Sequence, residues 1–202
     1  AAVTTAGAQT YNDNVTLGAA ATLTTTNSDV LFSSTLNSFD TTLRTLGIAA
    51  GAGTVTFTGT VGNNNALSNI TITAATTTNS STLVGSGTYA ITGNAVVNGA
   101  ITGVTNLSVT GTTLIGANIS TTGTQGYTGA VTLTGSGTKT LTGSTITASS
   151  TIAGGGNSLT IADPGSSGGN AVFGGAITGV VNLSVAGTTA IGADISTTGT
   201  QT

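Results

Sequence analysis

Apolar residues alternate with Thr or Ser in short runs along the whole chain. Examples are VTL at 131–133, NITIT at 69–73, NLSV at 106–109, STIT at 144–147 and SLTI at 158–161. Alternation over runs this short predicts β-strands with one buried face. Between the runs stand residues that tolerate turn backbone, as in GNNN at 62–65, GSG at 85–87 and GGG at 154–156. No stretch keeps helical spacing, so the chain reads as all-β.

The pattern repeats itself. Residues 100–125 and 176–201 match at 22 of 26 positions, offset by 76. The four differences are Thr105/Val181, Thr110/Ala186, Leu114/Ala190 and Asn118/Asp194. A partial third copy lies at 3–17, where Gln9, Tyr11, Val15, Thr16 and Leu17 align with Gln125, Tyr127, Val131, Thr132 and Leu133 at offset 116. VLFSSTL at 30–36, VTFTGTV at 55–61, AVVNGAI at 95–101 and AVFGGAI at 171–177 share a looser pattern. Such self-similarity predicts stacked structural units within one domain, 1–202.

A sandwich or a barrel would also alternate. Three features favour a solenoid, a right-handed parallel β-helix with short strands separated by Gly/Asn turns. The similarity recurs along the chain, the apolar residues are mostly small or branched, and Thr fills the outward places. Thr is β-branched and uncharged, so like residues stack at about 4.8 Å without repulsion. Parallel crossovers are nearly always right-handed. Coils of roughly 20–25 residues would make about eight to ten turns. Residues 162–170 and 37–44 fit the repeat least and are expected to leave the regular path.

The inward set follows from the duplication. Ile101, Leu107, Val109, Ile115 and Ile119 are unchanged in the second copy as Ile177, Leu183, Val185, Ile191 and Ile195. All ten are expected to face the core. The segments 3–10 and 195–202 are offset by 192 and share one repeat phase, which predicts the same position around the coil. This suits a piece of a longer tandem array, or a subunit whose end meets its own beginning.

Composition narrows the chemistry. Among 202 residues there are 49 Thr and 32 Gly, but 2 basic and 5 acidic side chains, and no Glu, His, Cys, Met or Trp. The chain itself cannot supply a histidine base, a thiol nucleophile or a disulfide. No basic patch suits nucleic acid. The carboxylates Asp13, Asp29, Asp40, Asp163 and Asp194 are scattered, where glycoside hydrolysis needs a pair about 5–10 Å apart. Arg44 reads as a surface partner of Asp40, and Asp163 before Pro164 as a turn former. No catalytic, cofactor-binding or metal-ligating residue is assigned. No apolar run reaches transmembrane length, and seven Phe and Tyr are too few for the girdles of a membrane barrel.

The TxT pieces at 22–24, 56–58, 71–73 and 132–134 raise ice binding, but their uneven spacing argues against a flat lattice. Tyr11 and Tyr127 recur at one repeat position. They read as rings over a coil corner with the hydroxyl in water, or as a stacking surface for carbohydrate. Gln9, Gln125 and Gln201, like Asn106 and Asn182, suggest internal amide ladders.

The phrase ISTTGTQ-x-Y-x-x-x-VTL, with VTFTGTV and NLSV-x-GTT-x-IG, resembles the repetitive shafts of filamentous-haemagglutinin-like exoproteins and large autotransporter-like bacterial adhesins. The resemblance spans essentially the whole chain. It implies a right-handed parallel β-helix outside the cell, a passive rod that spaces or displays a binding tip. It carries over no catalytic residue, and the secretion domain that opens such exoproteins is not recognisable in these residues. The partners it implies are neighbouring repeats or other copies end to end, and surface glycans. A self-assembling head-to-tail filament or sheath subunit is the alternative.

Overall fold

A computed structural model describes residues 1–165 and 169–202. Among the described residues every strand pairing is parallel, and each inner strand pairs with one a coil earlier and one a coil later. The product is a parallel β-solenoid with three walls.

The first wall runs from Ala2–Thr5 through Ala21–Thr25, Arg44–Ala49 and Asn106–Val109 to Thr189–Ile191. The second runs from Gln9–Tyr11 through Val30–Phe32, Thr54–Phe57 and Thr113–Ile115 to Ile195–Thr197. The third starts at Val15–Leu17, continues through Ile101–Val104 and Ser158–Ala162, and closes with the bridge from Leu183 to Gln201. The strands Leu67–Asn79 and Thr88–Val97 each cross from the first wall to the second without a break.

The elementary step is shorter than a coil. In the most regular region the first inward residue of each wall falls at every sixth position: Ala95, Ile101, Leu107, Thr113, Ile119, Gln125, Val131. In most of these steps a second inward residue follows two places later, as period two requires. Three steps close a coil, so Tyr89 sits under Leu107 and Leu107 under Gln125. Such coils are shorter than the sequence reading expects. Loops lengthen others, such as the coil from Ala21 to Leu46. One of those loops lies inside the expected excursion at 37–44: Asn37 and Ser38 stay on the third wall and Arg44 on the first, and the residues between leave the path. Another falls in 162–170, of which 166–168 lie outside the described residues, and the coil from Leu46 to Ile70 is lengthened elsewhere.

The core is one apolar column from Leu23 to Leu183. Of the ten residues expected to face it, Ile101, Leu107, Val109, Ile115, Ile119, Ile177 and Leu183 are buried. Val185 and Ile195 are half-buried, and Ile191 is 61% exposed. The exception is positional: Ile191 lies in the last coil and has Phe173 beneath it but nothing above. The four positions that differ between the copies are exposed throughout the first copy.

The expectation that equal repeat phase means an equal position around the coil is overturned. Ile101 stands on the third wall, above Leu83, whereas its copy Ile177 stands on the second, above Ile152. The offset between the copies spans three coils and two further walls. Likewise Gln9 is on the second wall, Gln125 on the first and Gln201 on the third. With so short a step, copies fall into phase with the walls without falling into phase with the coils.

Candidate functional site

Polar side chains concentrate at the corners, where two devices recur. The first is built by the TTGTQ-type segments. Thr121 Oγ1 donates to Gly123 O at 3.1 Å, which folds the corner. Gln125 then turns inward and donates to Thr142 O of the next coil at 2.7 Å, with Thr121 Oγ1 3.4 Å from the same nitrogen. Tyr127 donates its hydroxyl proton to Gln125 Oε1 at 2.8 Å.

The N-terminal copy repeats this geometry at a different corner. Thr5 Oγ1 donates to Gly7 O at 2.6 Å, Gln9 Nε2 to Thr24 O at 2.9 Å, and the Tyr11 hydroxyl to Gln9 Oε1 at 3.0 Å. The C-terminal copy places Thr197 against Gly199 O at 3.2 Å and Gln201 against Thr197 Oγ1 at 3.1 Å at the remaining corner. One motif therefore serves all three corners. The expected ladder of glutamines does not form, because the three stand on different walls. Nor does the Tyr127 hydroxyl reach water. It is buried, and desolvation holds its phenol well above the usual range, as it does that of Tyr89.

The second device stitches successive coils. Asn106 Oδ1 accepts from Thr124 N at 2.9 Å and from Thr124 Oγ1 at 3.0 Å. Asn182 does the same with Thr200, at 2.9 and 3.1 Å. Asn94 holds Thr112, and Asn69 and Asn118 accept from Thr88 N and Thr140 N. Each Asn accepts a backbone N–H from a residue one coil on, and Asn94, Asn106 and Asn182 accept that residue's hydroxyl as well. Asn106 and Asn182 act singly rather than as a ladder. Sequence reading missed the stitch, although an Asn with a Thr one coil further on marks it at 94/112, 106/124 and 182/200.

The charged residues are dispersed. Asp29 Oδ1 takes Thr54 N at 2.7 Å as another stitch. Asp40 faces Arg44 across 3.2 Å, a pair of small energetic value at an exposed corner. Hydrogen bonds from Thr42, with Arg44 as a smaller contribution, hold the Asp40 carboxyl below its usual range. Asp13 and Asp194 are exposed, and Asp163 precedes a bend at Pro164. Among the described residues no three carboxylates gather into a cluster that could hold a metal ion. Lys139 is unexpectedly buried, with Nζ donating to Ser136 O at 2.9 Å.

The outward columns of the first two walls carry uncharged side chains, most of them small. Thr22, Gly47, Thr71, Ala90 and Ser108 form one column of the first wall. Thr10, Leu31, Thr56, Thr78, Val96 and Leu114 form the matching column of the second. The TxT pieces split between these two walls, so neither carries an unbroken Thr lattice. The largest exposed side chain is Phe39, 68% exposed, on the 37–44 excursion. Inside, Tyr11, Phe32 and Phe57 stack with centroids 4.8 and 5.3 Å apart.

These features define a repetitive parallel β-solenoid, consistent with a structural role. Searches against family models, curated proteins and solved structures found no match.

Proposed function

We propose that the chain is a structural segment of a secreted bacterial rod, the stiff spacer of a surface adhesin or exoprotein, without catalytic activity of its own. The observation that carries this reading is the allocation of side chains. Polar groups at the corners bond to neighbouring coils, while the outward columns of the walls present uncharged, mostly small residues to solvent. A rod needs stiffness along its length and an inert surface, and both follow from that allocation. The resemblance of ISTTGTQ-x-Y-x-x-x-VTL to exoprotein shafts supplies the extracellular setting. Surface glycans are the ligand class to be displayed or met at such a site.

The test is twofold. Antibodies against the folded chain should label intact cells of the source organism, and the purified chain should turn over no polysaccharide. Labelling only after lysis, or turnover abolished by a single Asp→Asn change, would overturn the reading.

A further inference from the structure

We propose that the two long copies are exchange points, at which the solenoid can lose or gain the whole stretch 101–176 and keep its fold while everything beyond the junction turns by one wall. The inference concerns how the rod changes length. It rests on the fold and holds whether or not the rod is extracellular.

Three observations carry it. First, the copies are identical at 22 of 26 positions yet stand on different walls, and the same residues form the same strands in either setting. Second, the corner bonds are reproduced wherever the motif falls. Asn106 and Asn182 hold Thr124 and Thr200 with near-equal distances at two different corners, and the Thr–Gly turn recurs at all three. Third, Thr105, Thr110, Leu114 and Asn118, the positions that differ, all face outward. Replacing the first copy by the second therefore alters no core residue.

The junction follows from the register. Removing 101–176 joins Ala100 to Ile177, and Ile177 takes the seat of Ile101 above Leu83. Leu183 then lies over Tyr89 as Leu107 did, and Ile191 takes the place of Ile115 over Val97. The step from wall to wall is unbroken. Since the excised piece is three coils and two walls, the remainder is rotated by one wall about the axis. Duplicating the piece rotates it the other way. A side chain shown on one wall is thus moved to the next by a change of length alone.

The experiment uses three deletion variants beside the full chain. Δ101–176 is the exchange product. Δ107–124 removes one whole coil and leaves every wall in place. Δ104–176 puts the junction half a step out of register. Each is followed by circular dichroism, denaturant unfolding and small-angle scattering. Δ101–176 should keep the β spectrum and a cooperative transition, and shorten the particle by roughly 18 Å at about 4.8 Å per coil. Δ107–124 should behave likewise with a shortening of about one coil, and Δ104–176 should lose cooperativity. If Δ107–124 folds and Δ101–176 does not, wall identity is encoded and the proposal fails. It fails equally if neither folds, or if Δ104–176 folds as well as Δ101–176.

Discussion

Tyr127 donates its hydroxyl proton to the carboxamide oxygen of Gln125, two residues earlier on the same strand, and both side chains are buried. The pair closes a corner without water. Tyr127→Phe leaves Gln125 Oε1 buried and unpaired, so the expected loss is about 1–3 kcal/mol in denaturant unfolding. Tyr11→Phe makes the same change where Tyr11 is only half-buried, and water can replace the lost donor. Its expected loss is under about 1 kcal/mol. Equal losses would show that burial does not set the value of the bond.

The same phenols set an alkaline limit. Burial raises Tyr89 and Tyr127 far above the ordinary value of about 10 that both regain on unfolding. Above that value the unfolded chain sheds protons that the folded chain retains, so stability falls as pH rises. Below it their contribution is fully present. Phenolate absorbance should rise first from Tyr11, itself raised by partial burial, and from the other two only with loss of the β spectrum. Three tyrosines titrating together in a folded chain would contradict this.

Gly93 bends the long strand Thr88–Val97 at φ 129, and a Cβ there would lie 1.8 Å from Ala74 O. Gly93→Ala is expected to destabilise by more than about 3 kcal/mol, through both backbone strain and collision. Gly7→Ala meets nothing within 4 Å and should change stability by less than about 1 kcal/mol. Thermal unfolding of the pair checks both.

Lys139 places an ammonium inside the third wall, bonded to Ser136 O and stacked beneath Leu159. Met has similar length without the charge. Lys139→Met should leave stability unchanged or raise it by up to about 2 kcal/mol, because a buried charge returns little beyond its desolvation penalty. Lys139→Asp should lower it by several kcal/mol. A large loss in the Met variant would mean that the amine does more than fill its seat.

The strands were legible because alternation is a local signal. NLSV and VTL form strands with Leu107, Val109, Val131 and Leu133 inside, as period two demands. The wall of each copy was not legible. Equal repeat phase suggests an equal position around the coil, but the physical step is far shorter, and loops such as those within 37–44 and 162–170 hide it from a search for a constant coil length. The corner chemistry was legible in part. Gln125 and Tyr127 stand out by recurrence, but recurrence does not reveal that they bond to each other. Each Asn stitch binds a residue one coil on, a spacing apparent only once the coil length is known. The identity of Ile191 to Ile115 predicts which way the side chain points, and not whether a coil covers it.

All the ladder hydrogen bonds run along the axis of the stack, and each coil is held mainly by the coils next to it. Under tension at its two ends such a molecule does not share the load among all its coils. Every interface carries the full load, and the outermost coil, held from one side only, yields first, then the one behind it. A coil that occupies about 4.8 Å of the axis frees on the order of 60 Å of chain when its three steps are drawn out straight. Resistance to pulling therefore appears as a train of small, similar releases, with longer ones where a loop enlarges the coil. The molecule can extend more than tenfold, dissipating work one coil at a time, while the coils not yet reached stay intact.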